Sequence, residues 1–225
     1  MITKNESSDL VFYRQKFIDF AKSQGLMIDP PDVYWSVADY YAKWVRNSVD
    51  GKPMEARGLF IFGNTGSGKT TLVRTLQHSF GVYPSRRRGI SYRTIGSLVE
   101  KHTYDPYWVY SEEMFYAKKD YILDDFGKVT GFNCYGNRFD VEPLIESRYQ
   151  SYREYGSTTI FTSNLTSFDE LVKQFSSEDP HKGERIKSRL CEMCDFIVFN
   201  YKDRRQSSIR ILNNSFRNAG KNMVS

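Results

Sequence analysis

The chain has 225 residues, 40% hydrophobic and 16% aromatic, which suits one globular domain with a substantial core. Its first residues are polar, and no apolar run approaches the roughly 20 residues that span a bilayer. The sequence therefore indicates neither a secretory signal nor a membrane segment, and we expect a cytoplasmic protein. The net charge is +5, and ten Lys/Arg against four Asp/Glu residues lie from Lys182 onward. This asymmetry favours an anionic partner such as nucleic acid, with a solvated basic surface as the alternative.

The first fifty residues carry two amphipathic helical patterns, which we assign to an N-terminal helical extension over residues 1–50. Residues 9–24 repeat apolar side chains at helical spacing and stop at a glycine. After a break at 28–32 that contains two prolines, Asp32 is expected to cap a second helix that ends near Gly51. Both apolar stripes are interpreted as packing surfaces.

From residue 57 short apolar runs alternate with helical patterns. Strands are predicted at 58–62, 90–95, 120–125, 157–164 and 195–201, and helices at 69–80, 141–155, 167–175 with Ser167 as cap, and 183–193. Such alternation is typical of a parallel sheet with helices on both faces. We therefore expect an α/β fold, a three-layer sandwich around a central parallel five-stranded sheet. The core is assigned to 51–203, and a basic C-terminal tail to 204–225.

The run GNTGSGKT (63–70) matches the P-loop pattern G-x-x-x-x-G-K-[ST] in its required context, after a strand and before a helix. Glycines let the backbone wrap a phosphate group, and the amino end of the helix adds a positive dipole there. Lys69 is expected to reach the β- and γ-phosphates, and the Thr70 hydroxyl to bind Mg²⁺. The alternative is a glycine-rich turn that matches by chance. The residues predicted to contact the nucleotide are Gly63, Asn64, Thr65, Gly66, Ser67, Gly68, Lys69, Thr70 and Thr71.

Two further strand ends carry polar side chains. In YILDDFG (121–127), Asp124 is expected to hold Mg²⁺ through water, and Asp125 to orient or polarise the water that attacks the γ-phosphate. FTSN (161–164) ends in Asn164, which would meet the γ-phosphate and this water if its strand lies between the other two. An acidic turn and a turn-forming asparagine are the alternatives.

Two arginines share one face of a later helix. Arg185 and Arg189 lie four residues apart in GERIKSRL (183–190). They belong either to a solvated surface or to a pair of arginine fingers that reach the γ-phosphate of a neighbouring subunit.

In this order, the motifs GNTGSGKTT, YILDDFG, STTIFTSN and ERIKSRL resemble those of the AAA+ ATPases of the DnaC/DnaI helicase-loader and IstB transposition-ATPase family, from about residue 57 to 201. The resemblance implies a homo-oligomeric ATPase that uses ATP and Mg²⁺ and acts on DNA, single strands being favoured. Its implied protein partner is a replicative helicase or a transposase. The implied sites are Walker A at Gly63–Thr71, Walker B at Asp124 and Asp125, sensor 1 at Asn164, the finger at Arg189 and an intersubunit partner at Arg185.

A DnaC-like helicase loader is the favoured function, and an IstB-like selector of target DNA is the alternative within the family. Two other classes remain open. A P-loop small-molecule kinase would carry an arginine-bearing lid and would not need the later strand-end and arginine motifs. A nucleotide-gated binding module with negligible turnover is also compatible, because Asp125 is one methylene shorter than the Glu of many AAA+ proteins.

A basic loop and an aromatic run lie between the P-loop and the acidic motif. The loop SRRRG (85–89) is interpreted as phosphate-contacting or solvated, and the aromatic run KHTYDPYWVY (101–110) as a packed loop or as a pore-facing segment that stacks on single-stranded bases. Arg204 or Arg205 is expected to replace the usual sensor-2 arginine. The three cysteines, Cys134, Cys191 and Cys194, are interpreted as buried free thiols, because Cys191-x-x-Cys194 is only half of a zinc site.

Overall fold

The computed structural model of the chain describes residues 8–25, 31–49, 57–82, 90–104, 119–127, 131–134, 137–176 and 179–199. Within these ranges the helices are α1 (Ser8–Ser23), α2 (Pro31–Val49), α3 (Lys69–Val82), α4 (Ile95–Tyr104), α5 (Glu142–Tyr155), α6 (Phe168–Phe175) and α7 (Pro180–Met193). The strands are β1 (Gly58–Phe62), β2 (Ser91–Thr94), β3 (Tyr121–Phe126), β4 (Gly131–Cys134), β5 (Asn137–Asp140), β6 (Thr159–Ser163) and β7 (Cys194–Val198).

The main sheet has five parallel strands in the order β2-β3-β6-β1-β7. Phe60 in the middle of β1 lies opposite Phe161 of β6 on one side and Phe196 of β7 on the other. The predicted five-stranded parallel sheet is confirmed, and β6 lies between β1 and β3. The carboxyl ends of β1, β3 and β6 therefore meet at one edge of the sheet.

Apolar layers cover both faces of this sheet. Because side chains alternate along a strand, Leu59 and Ile61 of β1 pack with α1, α2 and α3, whereas Phe60 packs on the opposite face with α4, α5, α6 and α7. Trp44 of α2, which is fully buried, belongs to the first layer. The predicted three-layer α/β sandwich is confirmed, and the two N-terminal helices share their core with the sheet.

A buried polar cluster ties the amino ends of β3 and β6, at the edge remote from the carboxyl ends. Arg148 of α5 is fully buried and donates to the Thr159 hydroxyl at 3.0 Å and to the Lys119 carbonyl at 2.8 Å. Asp120 accepts a hydrogen bond from the Thr158 amide at 2.7 Å. Burial lowers the pKa of Arg148 to about 10, and the charge of Asp120 opposes this shift. We interpret this cluster as a brace for the sheet.

Several element boundaries differ from the sequence predictions. Helix α2 begins at Pro31, so Asp32 lies within its first turn and is not the cap; proline suits this position because the first helical amides need no intrahelical acceptor. Helix α7 begins at Pro180, three residues earlier than predicted, with Asp179 as its cap. The first part of the aromatic run, residues 101–104, is helical rather than a loop. The predicted cap of α6 at Ser167 is confirmed.

The hairpin of β4 and β5 and the helix α4 were not predicted from the sequence. Residues 85–89, 105–110 and the tail 204–225 with Arg204 and Arg205 lie outside the described residues, as do the side chains of 101–104.

The cysteine prediction is confirmed for one residue and wrong for another. Cys194 is a buried free thiol, and burial raises its pKa. Cys191 is also a free thiol but is exposed on α7. The side chain of Cys134 lies outside the described part.

Among the described residues, no helix combines the length and the apolar composition that a membrane span requires.

Candidate nucleotide-binding site

The loop between β1 and α3 has the backbone shape that its glycines permit. Gly63, Gly66 and Gly68 have φ angles of 149°, 80° and 102°, in a region that residues with a Cβ rarely adopt. The Gly63 amide donates to the Ser163 carbonyl at 3.2 Å, which anchors the loop to the end of β6. Helix α3 begins at Lys69, and its first amide groups have no acceptor within the helix. This strand, loop and helix form a P-loop, whose backbone amides are suited to phosphate oxygens.

Lys69 lies against this loop and is only 5% exposed. Its ammonium group donates to the carbonyl oxygens of Gly63 at 2.7 Å and Asn64 at 2.8 Å. Thr70 and Thr71 follow in the first turn of α3 and are exposed. The charge of Lys69 is therefore fixed at the loop, and the Thr70 hydroxyl is accessible from solvent.

Asp124 lies near the end of β3, buried to 1% exposure. Two hydroxyl groups donate to it: Thr162 of β6 to Oδ1 and Tyr92 of β2 to Oδ2. Each carboxylate oxygen keeps a second lone pair for another ligand. Asp124 is thus a buried acceptor held from two neighbouring strands.

Asp125 has a different environment from its neighbour. Its φ angle is 62°, and the pairing of β3 with β6 shifts register between Leu123 and Phe126, so the residue lies in a bulge. The Asp125 amide donates to the Thr162 hydroxyl oxygen at 3.1 Å, and the Asn164 side-chain amide donates to Asp125 Oδ1 at 3.0 Å. The bulge turns Asp125 out of the regular alternation of the strand.

Tyr92 and Thr162 contact the aspartates of the candidate site, and neither was predicted from the sequence. The Arg74 guanidinium lies 3.5 Å from the centre of the Tyr92 ring, which fixes the phenol against α3. Burial, and then the hydrogen bond to Asp124, raise the pKa of Tyr92 to about 12, so the phenol remains a donor at neutral pH. Thr162 stands within the FTSN run that pointed to Asn164, but a threonine in a buried strand is not by itself a signal.

The structure brings Asp124, Asp125 and Asn164 together and holds Arg185 and Arg189 elsewhere, on α7 against α5. Arg185 pairs with Glu142 at 2.9 Å, and Arg189 Nη1 with Glu146 Oε1 at 2.6 Å. Both partners belong to the same chain.

The basic excess at the carboxyl end is divided between two segments. Residues 182–199 contain four Lys/Arg and three Asp/Glu, and the cations of Lys182, Lys187 and the two arginines of α7 all face carboxylates. Residues 200–225 contain six Lys/Arg and one Asp/Glu and lie outside the described residues. Most of the excess positive charge therefore belongs to this last segment.

No protein-family model matches the chain, and no curated protein matches it in sequence. Solved structures do match. The crystal structure of DnaI superposes with a TM-score of 0.61 at 18% identity, over 80% of this chain and 89% of the chain in that structure. The chain has the DnaI fold. The fold expected from the resemblance to the DnaC/DnaI group is thereby confirmed.

Two further structures share this DnaI-like fold. A candidate primosome component from Streptococcus pyogenes serotype M3 has a TM-score of 0.56 at 15% identity, over 88% of this chain and 97% of its own length. Domain III of the Thermotoga maritima replication initiation protein DnaA has a TM-score of 0.52 at 16% identity, over 80% of this chain and 67% of that structure.

Proposed function

We propose that the chain is an ATPase that binds ATP and Mg²⁺ at loop 63–71. It hydrolyses ATP slowly to ADP and phosphate, and assembly or DNA stimulates this hydrolysis. The observation that carries the proposal is the convergence of polar groups from three strand ends at one sheet edge. They are the P-loop after β1 with Lys69 fixed against it, the carboxylates of Asp124 and Asp125 on β3, and Asn164 after β6. The carboxyl edge of a parallel sheet is where ligands of such folds bind.

The residues present fit a nucleotide with a magnesium ion. Lys69 and the backbone amides of a glycine loop are donors for phosphate oxygens. Thr70 and Asp124 are hard oxygen ligands of the kind that Mg²⁺ takes in phosphate sites. Magnesium, when bound, neutralises charge on the phosphate oxygens. Thr70 and Asp124 would hold it, and Asp124 is already oriented by two hydroxyl donors.

Asp125 and Asn164 form the hydrolytic pair in this proposal. The Asn164 amide donates to Oδ1 of the Asp125 carboxylate, and a carboxylate is a group that can orient water and accept its proton. Asn164 directly follows Ser163, whose carbonyl accepts a hydrogen bond from the Gly63 amide of the P-loop. We therefore assign Asp125 to orient the attacking water and Asn164 to orient Asp125.

We assign Arg189 to the γ-phosphate of a neighbouring subunit and Arg185 to the subunit contact beside it. In the isolated chain both are neutralised by glutamates of α5. To contact a neighbouring subunit, each arginine must break its ion pair with α5 when the subunits assemble. The site of one chain is then completed by a second copy, which makes turnover dependent on oligomerisation.

The biological role that we propose is in DNA replication, as a DnaC-like helicase loader, with an IstB-like selector of target DNA as the alternative. The shared fold with DnaI and with a domain of a replication initiation protein supports the first. Single-stranded DNA and a replicative helicase are the proposed partners, in the cytoplasm. Residues 51–203 form the ATPase core in this proposal, with 1–50 as an extension and 204–225 as a basic tail.

The test is steady-state phosphate release from ATP, with and without single-stranded DNA, for the parental chain and for Asp125→Asn. The proposal predicts turnover that DNA increases and that Asp125→Asn abolishes. Binding of ATP without any turnover would favour the nucleotide-gated module. Transfer of phosphate to a small-molecule acceptor, with no DNA effect, would favour the kinase.

A further inference from the structure

One side chain contacts both acidic residues at the end of β3. Thr162 of β6 is 1% exposed, its hydroxyl donates to Asp124 Oδ1, and the same oxygen accepts the Asp125 amide at 3.1 Å. A hydroxyl group can do both at once because it has one donor and two acceptor sites. Thr162 therefore connects the carboxylate of one aspartate to the backbone of the next.

The bulge in β3 explains why this connection matters. The register of β3 with β6 breaks between Leu123 and Phe126, where a regular strand would continue its backbone ladder. Asp125 has a φ of 62°, which a residue with a side chain adopts at a cost unless its surroundings hold it there. The hydrogen bond to Thr162 supplies a partner for the Asp125 amide at this point.

Two residues further along the chain, Asn164 contacts the carboxylate of Asp125. The segment from Thr162 to Asn164 thus fixes Asp124 through its side chain and Asp125 through both backbone and side chain. A shift of this segment would move both carboxylates together.

The geometry points to Thr162 as the positioning residue that sets the two carboxylates relative to each other, and so couples the magnesium-holding Asp124 to the water-orienting Asp125. This inference rests on the proposed function. Thr162 touches neither phosphate nor water in this scheme and acts only through the two aspartates. Loss of groups that orient metal-binding or catalytic side chains typically costs about 10- to 100-fold in metal affinity or activity.

The test compares substitutions on one strand. Thr162→Val keeps the shape and removes the hydroxyl, and Thr162→Ser keeps the hydroxyl. Thr159→Val is the matched control, because Thr159 is equally buried on β6 but its hydroxyl contacts Arg148 at the opposite end of the strand. For each variant, ATP affinity with EDTA, the Mg²⁺ concentration for half-maximal ATP binding, and kcat at saturating Mg²⁺ are measured, with thermal unfolding as a fold check.

We expect Thr162→Val to raise the Mg²⁺ requirement and lower kcat, each by about 10-fold or more, with ATP affinity in EDTA unchanged. Thr162→Ser should restore both values, and Thr159→Val should lower thermal stability without changing either. If Thr162→Val does not fold, Thr162→Ser and Thr162→Ala carry the same comparison, because they differ by the hydroxyl alone.

Parental Mg²⁺ requirement and kcat in Thr162→Val would overturn the inference, as would an equal loss in Thr159→Val. Because the Mg²⁺ requirement is read from binding, a chain that binds ATP without hydrolysing it still tests Thr162. Failure of the parental chain to bind ATP in the presence of Mg²⁺ would remove the proposed function and this inference together. Normal parental behaviour with an unaffected Thr162→Val would remove this inference alone.

Discussion

The ion pair between Arg189 and Glu146 gives a quantitative prediction about assembly. The atoms Nη1 and Oε1 are 2.6 Å apart, and the two side chains are 25% and 39% exposed. A partly exposed pair of this kind contributes about 0–1 kcal/mol, because water screens the attraction and both side chains lose rotamer freedom. Replacing the carboxylate by an amide in Glu146→Gln therefore releases Arg189 at a cost of at most about 1 kcal/mol of folding stability, equivalent to a shift in melting temperature of about 2–4 °C.

If Arg189 acts on a neighbouring subunit, its release favours the assembled state by the same amount. One kcal/mol is about a fivefold change in an equilibrium. Glu146→Gln should then raise ATP turnover at protein concentrations below full assembly by up to about fivefold, and should not change the turnover of the fully assembled protein. The assay is phosphate release as a function of protein concentration.

A matched control is available on the same pair of helices. Glu192→Gln breaks the pair with Arg153, which has an N–O distance of 2.5 Å and joins α7 to α5, and leaves Glu146, the carboxylate partner of Arg189, unchanged. This control should leave the concentration dependence of turnover unchanged. A fall in turnover for Glu146→Gln would overturn this prediction, because it would mean that the Arg189–Glu146 pair supports the active state.

The complementary substitution is Arg189→Ala. This variant should bind ATP, but its turnover should fall by a factor of about 10³–10⁵, the range seen for arginine fingers in other phosphate-cleaving enzymes. Mixing Arg189→Ala with Asp125→Asn should restore part of the activity. One subunit then brings an intact finger and the other an intact water-orienting site. No rescue at any mixing ratio would retire the assignment of Arg189 to a neighbouring subunit.

Asp124→Asn should weaken Mg²⁺-dependent ATP binding. Asp125→Asn should bind ATP normally and hydrolyse it at least about 100-fold more slowly, which lies within the range of general-base effects. Parental turnover in Asp125→Asn would contradict the water-orienting role of Asp125. Deleting residues 200–225, which hold most of the basic excess, should weaken single-strand binding and reduce its salt dependence in a fluorescence anisotropy titration; an unchanged salt slope would place the contacts elsewhere. Gly58→Ala should destabilise the fold by about 1–3 kcal/mol in urea unfolding, because the added Cβ would lie 2.0 Å from the carbonyl oxygen of Thr159 in β6. In the control Gly96→Ala the nearest atom to the added Cβ is 3.9 Å away, so this variant should be neutral or slightly stabilising.

The sequence was sufficient for the features that local backbone rules control. The glycine spacing of loop 63–68 requires conformations that only glycine adopts easily, so its shape follows from its composition. The order of the strands was partly predictable as well, because polar residues at the ends of β3 and β6 can act together with the loop after β1 only if β6 lies between β1 and β3.

Contacts between side chains of different elements were not predictable in this way. Tyr92 reaches Asp124 because β2 pairs with β3 in the register that places Thr94 opposite Asp124. The hydroxyl of Thr162 meets two successive aspartates only because a bulge follows Leu123. Register and bulges depend on packing across the whole sheet, and no short motif reports them.

The missed elements have simpler explanations. Strands β4 and β5 have four residues each and, among the described residues, pair only with one another, so no buried strand pattern marks them. Helix α4 did carry a signal: Thr94 and Ser97 exchange hydrogen bonds between side chain and backbone at 2.9 and 3.2 Å, as in a capping box. A threonine followed three residues later by serine is a weaker sign of a helix start than one followed by glutamate.

Calorimetric titration of ATP in the presence of Mg²⁺ measures whether loop 63–71 binds ATP with magnesium, as we propose. Lys69 supplies the positive charge of this loop, and hydrogen bonds from charged groups contribute about 1.5–3 kcal/mol. We expect saturable binding by the parental chain and by Lys173→Ala, which changes an exposed lysine of α6, and a loss of affinity of at least about tenfold in Lys69→Ala. Equal ATP affinity in Lys69→Ala and the parental chain would mean that loop 63–71 does not bind the phosphates of ATP.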